Sequence, residues 1–224
     1  MSAGRTARDR ARTELTREIK DEARRQLADG GAGRLSLRAV ARSLGMVSSA
    51  LYRYYPSRDD LLTALIIDAY NALGAAAEQA DDGPTPLARW HSACAAVRGW
   101  ALANRYEYEL IYGSPVPGYR APQDTVAPAA RVALVLIGIA AEAGVPDSEL
   151  PPVVHAQSEA VRAVLPDDLP PGALARILLA WTQLFGMISF ELFGQLVGSA
   201  DPADEFFGYA VGRMAEFVGL TDRG

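Results

Sequence analysis

The sequence predicts an all-α fold with a small N-terminal three-helix unit and a larger helical C-terminal domain. Most segments between glycine- and proline-rich breaks repeat their apolar residues at three- and four-residue spacing, which is typical of helices with one buried face. No segment shows the alternation of a convincing strand. Half of the 224 residues are hydrophobic, so a sizeable core can form.

The first helix is predicted over residues 13–29. It carries an apolar stripe with one member in every turn, formed by Leu15, Ile19, Ala23 and Leu27. Residues 1–12 precede it and hold four arginines with little that could pack. We therefore expect a basic mobile arm ahead of the helix.

Two short helices are predicted between Ser36 and Arg58. The Ser36 hydroxyl can cap the first of them by accepting a hydrogen bond from a free backbone amide. Gly45 can end it, because glycine adopts positive φ without strain. Pro56 ends the second by disfavouring helical backbone at the preceding residue. We expect Leu51 and Tyr54 to face inward.

Helices this short need the 13–29 stripe to complete a core, and they leave one polar face outside. This is the helix-turn-helix arrangement, whose second helix enters the major groove of DNA. An ordinary helical hairpin is the structural alternative. The sequence therefore predicts a DNA-binding domain over residues 13–60 and a helical domain over residues 61–224.

Seven further helical segments follow. Ser57 and Asp60 have the spacing of a capping box at the start of the first. The predicted ranges are 57–79, 85–105, 106–112, 124–143, 147–165, 173–198 and 202–218. The helix 57–79 starts in the DNA-binding domain and continues beyond it, so its position suggests that it transmits conformational change.

The charge is distributed unevenly. Residues 1–58 hold 13 basic and 6 acidic residues, whereas residues 59–224 hold 9 basic and 21 acidic residues. A basic N-terminal quarter on an acidic body is expected of a nucleic-acid-binding protein with a separate regulatory domain.

The sequence lacks the signals that would indicate several other functional classes. No apolar run approaches the ~18 residues of a membrane span, and the N-terminus has no apolar signal region. With one cysteine and two histidines we expect no structural zinc site, and no catalytic constellation or phosphate-cradling glycine loop stands out. We expect a cytoplasmic protein without enzymatic activity, metal or cofactor.

The stretch from Leu35 to Leu62 resembles the TetR family of bacterial transcription regulators. Its members typically show Leu-Tyr-x-His-Phe-x-Ser-Lys-x-x-Leu after the helix-turn-helix, and here residues 51–61 read LYRYYPSRDDL. Tyr54 and Tyr55 replace the usual His-Phe pair, and Arg58 replaces lysine. The C-terminal pattern Trp181-x3-Phe185-Gly186 is similar to a subgroup named for a Trp-His-Gly signature, with phenylalanine in the histidine position.

Candidate DNA contacts lie on the two short helices. Arginine can pair bidentately with guanine, and alanine can contact a thymine methyl group. The candidates for base contact are Ser48, Ser49, Ala50 and Arg53. The candidates for phosphate contact are Ser36, Arg38, Tyr52, Tyr54 and Arg58.

The resemblance implies an effector pocket in the C-terminal domain. Such pockets are mostly apolar with a few polar anchors. The candidate lining residues are Trp90, His91, Cys94, Trp100, Tyr108, Tyr112, Trp181 and Phe185. The alternative for each residue is a place in the hydrophobic core, and for Cys94 an inert thiol among apolar neighbours.

The apolar helices 173–198 and 202–218 exceed what one small helical domain needs to cover. They predict a homodimer held by a four-helix bundle. Such a dimer would present two recognition helices to half-sites about 34 Å apart, so its double-stranded DNA operator would be palindromic. The predicted function is a repressor released by a small, largely apolar ligand. The alternatives are an activator, a ligand-independent regulator, or an all-α carrier or enzyme with a basic tail.

Overall fold

The computed structural model describes residues 3–165 and 168–221, and within these ranges it contains helices and no strand, which confirms the all-α fold. The ten α-helices are α1 (Ala3–Gly30), α2 (Leu37–Ser43), α3 (Ser48–Leu51), α4 (Arg58–Ala80), α5 (Pro86–Ala103), α6 (Arg105–Tyr112), α7 (Val126–Glu142), α8 (Pro152–Arg162), α9 (Pro171–Leu192) and α10 (Ala203–Val218). Two short 3-10 helices cover Ala32–Arg34 and Gln123–Thr125.

The chain forms two compact units. The first comprises the residues up to Ala69 together with Asn104–Val126, and the second comprises Tyr70–Ala103 together with the residues from Ala127 onward. This division differs from the predicted boundary between residues 60 and 61, because α6 and the loop after it return to the first unit. Contacts that are distant in sequence hold them there, including a hydrogen bond of 2.9 Å between the hydroxyls of Thr63 and Tyr119.

The core of the first unit forms around the α1 stripe, as predicted. Ile19 and Ala23 are fully buried and Leu27 is nearly so. Val40 of α2 and Leu51 of α3 are also fully buried, and α2 packs on both α1 and α3. Burial of these apolar side chains is the main stabilising contribution to the three-helix arrangement.

Helix α1 starts ten residues earlier than predicted. Residues 3–12 are helical, so α1 begins within the segment predicted as a basic arm. The mobility of that arm stays a prediction, and Met1 and Ser2 lie outside the described residues. The segment contains no proline, and alanine and arginine are strong helix formers. The prediction relied on tertiary packing, which this part of α1 does not need in order to continue a long helix.

Two other helix ends differ from the predicted ones because of local hydrogen bonds and backbone conformation. Helix α9 ends at Leu192 rather than at residue 198, because Gly194 has φ 81° and Gln195 N–H donates to Phe190 C=O at 2.8 Å. Helix α8 begins at Pro152 rather than near residue 148. Ahead of it, the Asp147 carboxylate accepts hydrogen bonds from the backbone N–H groups of Ser148 and Gly172, at 2.9 and 2.8 Å. These bonds lower the pKa of Asp147.

The second unit packs α5 against α9 and α10. Trp90 of α5 is almost fully buried, and its indole N–H donates to Val211 C=O of α10 at 3.3 Å. Arg98, also on α5, pairs with Glu191 of α9 at 2.6 Å and with Asp204 of α10. One arginine thereby bridges all three helices.

Three helical segments are long and apolar enough to cross a membrane, judged by length and composition only. They are Arg58–Ala80, Gln123–Glu142 and Pro171–Leu192. Between 33% and 44% of the residues in their apolar windows are buried inside the protein. The absence of a membrane-spanning segment stays a prediction.

Candidate nucleic-acid interface

The start of α2 is fixed by the predicted serine cap. Ser36 has extended backbone, and its Oγ accepts a hydrogen bond from Ala39 N–H at 3.4 Å. Ser36 N–H donates to the Gln26 side chain of α1 at 3.2 Å, a contact that the sequence analysis did not anticipate. These two bonds set the orientation of α2 against its supporting helix.

The turn between α2 and α3 depends on Gly45, as predicted. Its φ of 65° lies in the left-handed region. Met46 N–H donates to Ala41 C=O at 2.8 Å and Gly45 N–H to Arg42 C=O at 3.2 Å, which satisfies the last carbonyls of α2. Helix α3 can therefore begin three residues after the glycine.

The recognition segment comprises α3 and the turn that follows it, residues 48–55. Its buried side differs from the prediction at one aromatic residue. Leu51 is fully buried as expected, but the second inward-facing side chain is Tyr55, which is 8% exposed, rather than Tyr54. Burial, and next the nearby Asp68 carboxylate, raise the pKa of Tyr55. Tyr54 is half-buried, and the Arg12 guanidinium lies over its ring at 5.6 Å from the centroid. Within the turn that ends α3, the ring of Tyr55 is therefore buried in the core, whereas the ring of Tyr54 is partly exposed to solvent.

The structure brings all nine predicted DNA contacts onto one continuous segment of the first unit, from the α2 cap to the start of α4. Exposed members are Arg38, Ser49, Tyr52 and Arg53, and half-buried members are Ser36, Ser48, Ala50, Tyr54 and Arg58. Exposed arginine, tyrosine and serine can form hydrogen bonds to bases or phosphates. The role of each residue toward DNA stays a prediction.

Arg58 has a structural contact that sequence reasoning missed. Its Nη2 donates to Ala32 C=O in the first 3-10 helix at 2.6 Å. This bond attaches the first turn of α4 to the segment between α1 and α2. The predicted capping box also forms there, since Ser57 Oγ accepts from Asp60 N–H at 3.1 Å and Ser57 N–H donates to the Asp60 carboxylate at 2.8 Å.

A network of charged side chains joins α1, α4 and α6 around Arg24. The Arg24 guanidinium pairs with Asp68 of α4 at 2.9 Å, with Glu107 of α6 at 2.9 Å and with Asp21 of its own helix at 2.8 Å. Lys20 pairs with the second oxygen of Asp68 at 2.8 Å. Asp68 is the only charged residue of α4 between Asp60 and Glu78, and a lone carboxylate in an apolar helix needs such a partner.

The same face of α1 forms a basic groove of about 470 Å³. Its cationic lining residues are Arg12, Arg17, Lys20 and Arg24, with Asp68 as the only acidic one. Sequence reasoning placed basic residues on α1 but gave them no site. The repeat of arginine and lysine at three- to five-residue spacing was the available signal.

The predicted effector residues divide between the two units. Tyr108 and Tyr112 belong to α6 in the first unit, where their ring centroids lie 5.2 Å apart and Tyr108 is fully buried. The other six belong to the second unit: Trp90, His91, Cys94, Trp100, Trp181 and Phe185. Trp90, Cys94 and Phe185 are core residues. A pocket formed by this set stays a prediction.

Trp181 and Phe185 stand one turn apart on α9 with an edge-to-face arrangement, and their centroids are 5.5 Å apart. Within the described residues, the buried Trp181 Nε1 has no hydrogen-bond acceptor. An indole N–H in that state favours binding of an acceptor atom.

Cys94 has the properties of an inert thiol. It is fully buried, and burial raises its pKa to about 12. The thiolate is the reactive form, so the folded protein should resist alkylation at pH 8. We expect iodoacetamide to leave Cys94 unmodified in the native protein and to label it fully in guanidinium, as measured by intact mass. Rapid labelling of the native protein would contradict the buried position.

No group of three or more metal-ligating side chains occurs among the residues described.

Two family models match this sequence. Residues 19–65 match the sequence model described as "Bacterial regulatory proteins, tetR family", and residues 90–214 match "Tetracyclin repressor-like, C-terminal domain". These matches do not test the Trp-His-Gly subgroup, which stays a prediction.

The HTH-type transcriptional regulators Rv1816 of Mycobacterium tuberculosis and Mb1846 of Mycobacterium bovis are each 41% identical over 196 residues, covering 83% of this chain and 83% of theirs. The crystal structure of the regulatory protein SCO4313 has 35% identity and a TM-score of 0.81, covering 93% of this chain and 98% of that one. PfmR of Thermus thermophilus, at 18% identity and a TM-score of 0.54, shares the fold. The chain belongs to the TetR family of transcriptional regulators.

Proposed function

We propose that this protein is a homodimeric repressor that binds a palindromic operator and is released from it by a small, largely apolar ligand. DNA binding is supported chiefly by the exposed polar face of the helix-turn-helix. Arg38, Ser49 and Arg53 are exposed to solvent on it, and Leu51 is buried in the core. Membership of the TetR family implies DNA binding and dimerisation in general terms.

The basic groove on α1 supports this proposal. Its cations are on the same unit as the recognition segment, and Arg12 contacts the Tyr54 ring at the tip of that segment. Phosphate contacts by arginine and lysine provide most of the sequence-independent affinity for DNA. We propose that Arg12 and Arg17 follow the DNA backbone while α3 reads the bases. Lys20 and Arg24 are already engaged with Asp68.

The dimer part is supported by exposed apolar side chains on α9 and α10. Leu179 and Phe190 are 58% and 55% exposed on α9, and Phe206 and Tyr209 are 42% and 67% exposed on α10. The exposed positions 179, 183, 186 and 190 follow helical spacing, so α9 has an uncovered stripe. Exposed large apolar side chains on two helices, as at these four residues, are a mark of a protein–protein interface.

Negative charges introduced on the exposed faces of α9 and α10 should separate the subunits. We expect the double variant Phe190→Glu/Phe206→Glu to sediment as a monomer at micromolar concentration, because four like charges would be brought into one dimer interface. Leu102→Glu is the matched control, since Leu102 is 43% exposed on α5, outside the proposed interface. If the wild-type protein sediments as a monomer, the dimer proposal is wrong.

We propose a cytoplasmic location. The three apolar helices each carry polar residues that are engaged inside the protein. Asp68 of α4 pairs with α1, Arg131 of α7 pairs with Glu78 at 2.6 Å, and Arg176 of α9 donates to Val218 C=O at 3.1 Å. The Arg131 hydrogen bond lowers the pKa of Glu78. Charged residues paired in this way are expected in helices of a water-soluble domain and are rare in helices that face lipid.

The proposal is tested by exposing the purified protein to fragmented genomic DNA, sequencing the retained fragments and footprinting them. We expect a discrete palindrome with half-sites one helical turn, about 34 Å, apart. Ligand release is then measured on that operator with apolar metabolites. An activator would bind such a site and raise transcription in vitro, whereas a carrier or enzyme would protect no discrete sequence.

A further inference from the structure

The first unit contains a partly open cavity of about 200 Å³ next to the DNA-binding segment. Three segments form its walls: the end of α1 with the 3-10 helix after it, α6, and the proline-rich loop at 114–117. Apolar parts of the lining come from Leu27, Ala32, Tyr106, Leu110 and Val116. None of the eight predicted effector residues lines it. A volume of about 150 Å³ accommodates benzene, so this cavity has room for an aromatic ring with a short chain.

The charge of the lining selects the ligand class. Glu109 is the only charged residue among the lining residues. None of the ion pairs formed by the described residues includes Glu109. A carboxylate beside apolar walls favours an organic cation, whose ammonium group forms a charge-assisted hydrogen bond. The hydroxyl-bearing residues Tyr106 and Ser114 offer further polar partners.

We propose that this cavity binds a small aromatic ammonium compound, with the ring between α1 and α6 and the cation at Glu109. The site shares no lining residue with the predicted effector pocket, whose eight candidate residues fall on both units. It differs from that pocket in ligand charge as well as in position.

The cavity has a direct structural link to the DNA-binding segment. Ala32 lines it, and the Ala32 carbonyl accepts the hydrogen bond from Arg58 at the first residue of α4. A ligand that prefers one position of this 3-10 helix changes the DNA affinity by the same factor by which DNA changes the ligand affinity. This regulatory role rests on the proposed DNA-binding function, whereas ligand binding itself does not.

The test uses isothermal titration calorimetry on the full chain with three probes of similar size: 2-phenylethylammonium, neutral 2-phenylethanol and anionic 3-phenylpropionate. We expect the cation to bind at concentrations below about 10 mM and the anion to bind at least tenfold more weakly. Glu109→Gln should raise the Kd of the cation at least about fivefold and leave that of the alcohol unchanged.

A pair of glycine variants controls for location. Gly33 lines the cavity, and a Cβ added at this position would meet no atom within 4 Å. We therefore expect the leucine side chain of Gly33→Leu to fill the cavity and to abolish binding of the cation. Gly99 on α5 has similar open space in the second unit, and Gly99→Leu should bind normally. No binding by the wild type, or equal binding by the wild type and Gly33→Leu, would overturn the site.

The regulatory role has its own readout. Once an operator is identified, saturating 2-phenylethylammonium should change its Kd at least threefold for the wild type and not for Gly33→Leu. An unchanged operator Kd with intact calorimetric binding would refute the coupling alone. Failure to find any operator would refute the proposed function, and the calorimetry would still decide the site.

Discussion

Replacing Arg24 with methionine should destabilise the protein by about 2–4 kcal/mol, a fall in melting temperature of about 5–12 °C. Methionine retains an unbranched apolar side chain but leaves the carboxylates of Asp21, Asp68 and Glu107 without their shared cation. Breaking a buried ion pair by removing one partner costs more than the pair contributes, because an uncompensated charge remains. The Arg24 side chain is 31% exposed, which places the estimate below that for a fully buried pair.

Arg17→Met is the matched control on the same helix. Arg17 is 66% exposed, and its one ion pair among the described residues is with Glu14 of its own helix, so we expect no measurable loss of stability. Arg24→Lys should recover only part of the stability, because one ammonium group cannot reproduce the fork geometry of the guanidinium group. Chemical denaturation of the four proteins measures these differences, and equal losses for Arg17→Met and Arg24→Met would contradict the network.

Replacing Arg53 with alanine should weaken binding to the operator about 5- to 150-fold and relax the preference at one base pair in each half-site. Arg53 is exposed directly after α3, where a guanidinium can reach guanine O6 and N7, and its removal disturbs no buried contact. The melting temperature should therefore stay within about 1 °C of the wild-type value.

Fluorescence anisotropy with operator variants at fixed salt concentration measures the effect of Arg53→Ala. Arg105→Ala is the control, since Arg105 is also an exposed arginine of the first unit but lies on α6. Equal weakening on all sequences, specific and nonspecific, would instead assign Arg53 to phosphate contact.

The elements that could be predicted from sequence are those fixed by neighbouring residues. Ser36 caps α2, Gly45 ends it, and Ser57 with Asp60 caps α4, because each depends on chemistry within a few positions of the chain. Apolar spacing also identified the buried stripe of α1. These local signals were sufficient for the helix-turn-helix and for the nine candidate DNA contacts, whose roles remain to be measured.

Features that join distant segments could not be predicted in this way. Arg24 meets Glu107 across 83 positions, and Arg58 donates to a backbone carbonyl 26 positions earlier. Neither contact follows from periodicity, since spacing along one helix does not specify which other element approaches it. For the same reason the aromatic residues of α5, α6 and α9 were grouped into one pocket, although Tyr108 and Tyr112 belong to a different unit from the others.

The first unit is discontinuous in sequence, since residues 104–126 complete what the residues up to Ala69 begin. An N-terminal fragment cut after Ala69 would therefore lose Glu107 and Tyr119, the partners of Arg24 and Thr63. A DNA-binding unit that is contiguous in sequence from the N-terminus could be exchanged between related regulators at one crossover point. In this protein an exchange of the whole first unit needs three junctions, after residues 69, 103 and 126. The segment 104–126 must be transferred as well, so that the exchanged unit keeps its own α6.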